Sequence, residues 1–117
     1  MKILDFEVND LDTFDPDVLE QIEIAKEKVL EISANAEKEE KQSVAVRMQC
    51  GAVAEFIDTL WGTGTAVKVF NGKINLVKAV KAFECIISGL NADTEKQMSE
   101  IKAIAAKYSP SRVRRTE

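Results

Sequence analysis

Apolar residues recur at alternating intervals of four and three positions along most of this chain. The first such row consists of Val18, Ile22, Ala25, Val29 and Ile32. Side chains with this spacing lie on one face of an α-helix, where they can be buried while the other face meets water. The spacing predicts an amphipathic helix, and its repetition predicts a mainly α-helical fold.

The first predicted helix has a clear start and two alternative ends. Asp15 suits an N-cap and Pro16 suits the first helical position, where a missing N–H is not needed. Residues 37–42, EKEEKQ, carry no apolar anchor, which favours the loop of a helical hairpin. The apolar phase nevertheless continues through this loop to Val46, so one long bent helix is the alternative.

Two further rows predict a second and a third helix. The second row consists of Val46, Cys50, Val53, Ile57 and Leu60, thickened by Phe56, and it ends at Trp61-Gly62. A short apolar piece and an Asn71-Gly72 turn follow, since both turn residues tolerate a positive φ. Asn75 can cap the third helix, whose row is Leu76, Val80, Phe83, Ile87 and Leu90, widened by Ala79 and Ile86.

The sequence does not decide whether the third helix continues beyond residue 88. Gly89 and Asn91 weaken a helix, and Thr94 with Gln97 has the spacing of a capping box that starts a new one. We therefore predict a fourth helix carrying Met98, Ile101, Ala105 and Tyr108, with a kinked single helix as the alternative. The pair Ser109-Pro110 should end it.

The first residues alternate differently. Leu4, Phe6 and Val8 are separated by acidic residues, which predicts a short half-buried strand. The predicted fold is a small, mainly α bundle of about four helices with a short N-terminal strand. Residues 1–108 form a single helical domain in this interpretation, and 109–117 form a basic, flexible tail.

Charge and hydrophobicity disfavour several classes of function. Sixteen basic and 20 acidic residues give a net charge of −4, which disfavours capture by nucleic acid or anionic lipid. The N-terminus lacks the apolar stretch of a signal peptide, and no segment approaches the roughly 20 apolar residues of a membrane span. We expect a cytoplasmic protein without membrane or nucleic-acid partners.

The residues offer little chemistry. The chain has no histidine, and its two cysteines are too few for a structural zinc site. Cys50 and Cys85 each fall on a predicted apolar row, so we expect reduced, buried thiols. The segment Gly62 to Thr65 lacks the Gly-Lys-Ser/Thr ending of a phosphate loop. We predict no catalytic, cofactor-binding or metal-binding residues, and no enzyme.

Aromatic and arginine side chains are the candidates for binding a partner. Trp61 ends an apolar helix beside a glycine loop, so it is either a lid on the core or an interface anchor. The arginines of the tail could contact an acidic protein or a phosphate backbone, or serve only solubility. The candidate partner-binding residues are Phe56, Trp61, Phe70, Tyr108, Arg112, Arg114 and Arg115.

Nearly the whole chain resembles a known family. The segment VRMQCGAVAEFIDTLWGTGTAVKVFNGKINLVKAVKAFECII and the ending KYSPSRVRR are similar to small tail proteins of phages and prophages of Gram-positive bacteria, which resemble tail assembly chaperones. The resemblance implies a factor in the cytoplasm of the bacterial host that is absent from the virion. Its implied partners are the tape-measure protein, which it would coat, and the tail-tube protein, which it would recruit.

Other functions stay open beside this resemblance. A structural tail component would share the helical surfaces, and a homo-oligomer would explain apolar rows on several faces. A small nucleic-acid-binding regulator could use the arginine tail, although the net charge argues against it. A secreted helical hairpin with Trp-x-Gly at its turn is disfavoured, because Gly62 follows Trp61 directly.

Overall fold

The protein is mainly helical, as its computed structural model shows for residues 1–108. Four helices and a two-stranded antiparallel sheet make up this part of the chain, which confirms the predicted fold class. The elements are β1 (Lys2–Ile3), β2 (Phe6–Glu7), α1 (Pro16–Ala36), α2 (Gln42–Trp61), α3 (Thr65–Val69) and α4 (Leu76–Tyr108). The tail predicted at 109–117 lies outside the described residues.

Helix α1 begins where the sequence predicts. The carboxylate of Asp15 accepts hydrogen bonds from the backbone N–H groups of Asp17 and Val18, at 2.9 and 3.4 Å. These bonds satisfy donors that the first helical turn leaves free. Ile22, Ala25 and Val29 of the predicted row are buried.

Helices α1 and α2 form an antiparallel hairpin. The side-chain amide of Gln21 donates to the carbonyl of Thr59 at 3.0 Å, and Lys28 forms an ion pair with Glu55. Residues later in α1 thus face residues earlier in α2. The predicted hairpin is confirmed, and the alternative of one long bent helix is wrong.

Helix α2 is the centre of the core. It contacts α1, α3 and α4, so it is buried on more than one side. Phe56, Ile57 and Ile86 are among the most completely buried side chains, together with Ile3 from the N-terminal hairpin. The predicted row of α2 is confirmed, because Cys50 and Val53 are buried as well.

The connection from α2 to α4 uses the predicted turn residues. Gly62 ends α2 with φ of 108°, a conformation that favours glycine. The carboxylate of Asp58 then accepts a hydrogen bond of 2.8 Å from the N–H of Ala66 at the start of α3. Asn71 and Gly72 have φ of 52° and 75°, as predicted, and the side chain of Asn75 accepts from Lys78 N at 2.9 Å.

The predicted break between a third and a fourth helix is wrong, because α4 is continuous over 33 residues. Gly89 does not end the helix but makes room for Met1, whose Cε would lie 2.6 Å from a Cβ built at this position. The Thr94 hydroxyl donates to the carbonyl of Leu90 at 2.8 Å, inside the helix. A helical residue that bonds back to position i−4 is not capping a new helix.

The buried face of α4 is rotated from the predicted row. Ala79, Ala82, Ile86 and Leu90 are buried, whereas Val80 is 54% exposed. Phe83 and Ile87 are only partly buried at the edge of this face. Small alanines allow α4 to approach α2 closely, which favours their side of the helix over the bulkier Val80.

The prediction of a single N-terminal strand is wrong in detail, because the segment forms a hairpin of two short strands. Lys2 pairs with Glu7 and Ile3 with Phe6, and Leu4 takes the turn with φ of 56°. The side chain of Ile3 reaches the core and contributes to contacts between β1 and α4. Two strands satisfy each other's backbone groups, which a single strand cannot do.

Candidate protein-binding face

The second half of α4 extends beyond the core. Four apolar side chains become steadily more exposed toward the end of the helix: Met98 is 39% exposed, Ile101 45%, Ile104 60% and Tyr108 73%. From Thr94 to Tyr108 the helix runs for about 21 Å at its usual rise of 1.5 Å per residue. We call these four side chains the distal face.

The distal face continues the face that the first half of α4 buries. Leu90 is buried against the core, and Ile101, Ile104 and Tyr108 follow it at 11, 14 and 18 positions. At 100° per residue these positions return to nearly the same side of the helix. One apolar face therefore spans α4, and the rest of residues 1–108 covers only its first half.

The segment before α1 covers the middle of α4. The Thr94 hydroxyl lies 3.2 Å from the Thr13 hydroxyl, which fixes this segment against the helix. A groove of about 480 Å³ opens beside the contact, with Leu11 and Phe14 on one side and Ile101 and Ile104 on the other. Phe14 is exposed and thus extends the apolar surface next to the distal face.

Charged side chains flank the distal face. Glu100 and Lys107 are exposed. They lie on the same flank of α4 as Asp93, because Asp93, Glu100 and Lys107 follow one another at intervals of seven positions. Within residues 1–108, neither Glu100 nor Lys107 takes part in an ion pair. Lys107 lies over the ring of Tyr108, with its Nζ 5.7 Å from the ring centroid.

The aromatic candidates separate into two groups. Phe56 and Phe70 are 2% and 4% exposed, so neither offers surface to a partner in this fold. Trp61 is half-buried at the edge of the core, and its Nε1 donates to the carbonyl of Asn9 at 2.7 Å. Tyr108 is the most exposed of these four aromatic side chains. The structure brings Trp61 to the N-terminal segment and leaves Tyr108 on the distal face.

The candidate arginines lie outside the described residues; they are Arg112, Arg114 and Arg115. Both cysteines are free thiols, but only Cys50 is buried. The prediction of a buried Cys85 is wrong, because the buried face of α4 consists of Ala79, Ala82, Ile86 and Leu90 and Cys85 lies outside it, exposed to solvent. Burial raises the pKa of the Cys50 thiol.

A second groove follows the seam of the α1–α2 hairpin. It has a volume of about 370 Å³, and its floor includes Ala25, Val29 and Phe56. These floor residues already belong to the buried core, and the ion pair between Lys28 and Glu55 spans the two helices at the groove. The groove is therefore part of the hairpin packing.

The described residues hold no obvious centre for catalysis by a metal. In the range 1–108 no three His, Cys, Asp or Glu side chains converge so that they could hold an ion. None of the helices in this range combines the length and the apolar character needed to cross a membrane.

Comparison with known proteins assigns the chain to a family whose function is unknown. A model of a family of unknown function, DUF6673, matches residues 4–117. The chain belongs to this family. No curated protein and no solved structure matches the chain. The family match spans both the hairpin core and the distal face, so both are parts of one family sequence.

Sequence reasoning found part of the distal face and missed the rest. Met98, Ile101 and Tyr108 are in the row predicted for the fourth helix, but Ile104 is not. Phe14, which lies beside the distal face, was missed as well. Ile104 was detectable, because it lies three positions after Ile101 and four before Tyr108. Phe14 carries no such signal, since its place beside α4 depends on the path of the chain before α1.

Proposed function

We propose that this chain is a non-enzymatic protein-binding factor in phage tail morphogenesis. It acts as a tail assembly chaperone that coats the tape-measure protein and recruits tail-tube subunits. The distal face is the observation that carries the protein-binding part of this proposal. The resemblance in sequence to small phage tail proteins supports the choice of partners.

The distal face suits an amphipathic helix as its ligand. Ile101, Ile104 and Tyr108 form a row along one helix, and such a row packs best against a second helix that supplies its own apolar row. Tape-measure proteins are long and helical, so they offer many such rows. The resulting contacts are individually small, and repetition along one client would raise the total affinity.

The rest of the chain is consistent with a chaperone that shields its client. Its net charge of −4 favours solubility of a complex that contains many copies. The buried core within residues 1–108 does not include the distal face, because all of its buried members lie before residue 91. Binding can therefore use the second half of α4 without opening the core.

The direct test is co-expression with the tape-measure protein and the tail-tube protein encoded by the same phage or prophage. We expect a soluble complex on affinity purification of this chain, with several copies per tape-measure chain by light scattering. Failure of the tape-measure protein to co-purify at all would falsify the proposed function.

A matched pair of variants locates the binding face. Ile101→Asp places a charge in the centre of the distal face, and we expect it to abolish co-purification. Val77→Asp is the control, because Val77 is a similarly exposed apolar residue near the start of α4, away from that face. Both proteins should keep the helical circular dichroism of the wild type. Equal loss of the complex in both variants would exclude the distal face as the site.

A further inference from the structure

The distal face is complementary to itself. We infer that in the free protein it binds the same face of a second copy, with the two α4 helices antiparallel. The inference rests on the proposed function only in assigning this face to protein binding, and it concerns the protein without its client. A client helix would then displace the second copy.

The spacing of the residues provides a seam for a helix pair. Thr94, Ile101 and Tyr108 are seven positions apart, and Gln97 and Ile104 lie three positions after the first two. This is the a and d pattern that packs two helices side by side. Thr94 and Gln97 are partly covered by the N-terminal segment, so the free seam begins near Gln97.

One antiparallel register matches the side chains. If Ile101 of one copy lies opposite Ile104 of the other, the symmetry of the pair places Ile104 opposite Ile101. Gln97 then lies opposite Tyr108, where the amide and the phenol can form a hydrogen bond at the edge of the apolar layers. Two apolar layers are thus closed at both ends by a polar pair.

The flanks match in the same register. Glu100 of each copy comes next to Lys107 of the other, within about one helical turn along the axis. This produces two equivalent contacts of opposite charge on one side of the pair. On the other side Met98 comes next to Ala105, so that flank is apolar. Both residues of the charged pair are exposed and without an ion-pair partner in the described part of the single chain.

A parallel pair lacks this match. Parallel helices place each g position next to the e position five residues later in the partner. Glu100 would then meet Ala105, and the opposite charges of Glu100 and Lys107 would not come together. The charge pattern therefore favours the antiparallel pair.

The size of the face sets the expected strength. Three turns of helix bury on the order of 400 Å² per copy, about half of the roughly 800 Å² per partner of a standard interface. We expect a reversible dimer with a dissociation constant in the micromolar range. Such a dimer buries the apolar row in the free protein. It dissociates readily enough for a client helix to replace the second copy.

The test is sedimentation equilibrium of the full chain, without a client, at low ionic strength. The wild type should change from monomer to dimer over about a hundredfold range of concentration. Glu100→Lys and Lys107→Glu each place like charges next to one another, and we expect each to weaken the dimer by about tenfold or more. Both residues are exposed, so the fold should be unaffected.

Mixing the variants tests the antiparallel register. An equimolar mixture of Glu100→Lys with Lys107→Glu should form a heterodimer at close to wild-type affinity. One copy then carries lysine at both positions and the other carries glutamate at both, so each contact across the pair joins opposite charges. The double variant should recover a homodimer, because the exchange of the two residues restores opposite charges at each contact. A wild type that stays monomeric, or a mixture no tighter than its components, would overturn the inference.

The two proposals fail separately. Self-association is measured without the tape-measure protein, so a monomeric wild type that still co-purifies with the client overturns only the homodimer. A dimer with the expected charge dependence that ignores the client overturns only the proposed function. A dimer that is insensitive to both charge reversals overturns the proposed use of the distal face in the homodimer.

Discussion

The rings of Phe56 in α2 and Phe83 in α4 meet edge to face, with centroids 5.1 Å apart and planes at 65°. This geometry brings the positive edge of one ring to the negative face of the other. The contact also joins the hairpin of α1 and α2 to α4. The sequence alone did not predict how α4 packs on this hairpin.

Shortening one ring should weaken this junction. We expect Phe83→Leu to lower the free energy of unfolding by about 1–2 kcal/mol, since it loses the ring contact and leaves an imperfect fit. Val80→Ala, three positions earlier and exposed, should change it by less than about 0.5 kcal/mol. Urea unfolding measures both. A larger loss for Val80→Ala would mean that the predicted row, and not the observed face, is buried.

The two helical glycines should respond differently to alanine. Gly51→Ala has free space around the new Cβ, so we expect a gain of about 0.5–1 kcal/mol from helix propensity. Gly89→Ala makes the same gain but must displace the end of the Met1 side chain. Its net gain should therefore be smaller. Thermal unfolding compares them, and an equal gain would show that Met1 moves away at no cost.

The two thiols should react at different rates. Cys85 is exposed, whereas Cys50 is buried and its pKa is raised by that burial. Because the thiolate is the reactive form, Cys50 should react much more slowly with a thiol reagent at neutral pH. Cys85→Ser and Cys50→Ser assign the phases. A fast reaction that remains in Cys85→Ser would contradict the burial of Cys50, and denaturant should remove the difference.

The N-terminal ammonium group should make stability depend on pH. It donates to Asp10 Oδ1 at 2.8 Å, to Glu7 Oε2 at 3.0 Å and to the Val8 carbonyl at 3.2 Å. The bonds to Asp10 and then Glu7 raise the pKa of this amine. A raised pKa in the folded state contributes stability that is present at lower pH and is lost as pH rises through that pKa.

We therefore expect the urea midpoint to fall as the pH rises from 7 to well above 8, the ordinary pKa of this amine, with part of the fall due to this amine. The variant carrying both Glu7→Gln and Asp10→Asn is the control. It should be less stable at pH 7 and should lose less stability over the same interval. The two carboxylates are exposed, so the difference should shrink in high salt. Parallel pH profiles for the two proteins would contradict this role.

Local signals in the sequence were sufficient for the start of α1, the end of α2 and the cap of α4. Asp15, Gly62 and Asn75 act within a few residues of themselves, through a side-chain cap or a permitted φ. Their effect does not depend on the rest of the fold, which is why these predictions are confirmed. The hairpin loop was predicted at 37–42 from a charged stretch without an apolar anchor, although the apolar phase was also compatible with a long helix. The structure has the loop one residue shorter, since α2 begins at Gln42.

Contacts between distant segments decided what the sequence could not. The sequence predicted a helix end near Gly89, but this residue lies inside α4 and leaves space for the side chain of Met1. It predicted a cap at Thr94, but this hydroxyl bonds to Leu90 within the helix and lies beside Thr13. The buried face of α4 was misjudged because a broad apolar helix offers several faces. Packing against α2 selects the one with the alanines.

The candidate site shows the same division. Helical spacing alone identified Met98, Ile101 and Tyr108 as one apolar row, because the period of a helix is a property of the local backbone. Whether that row is core or surface was not determined locally, since an uncovered row and a buried row have the same spacing. Only the tertiary structure decided it, because the other segments within residues 1–108 cover the first half of α4 and leave the second half exposed.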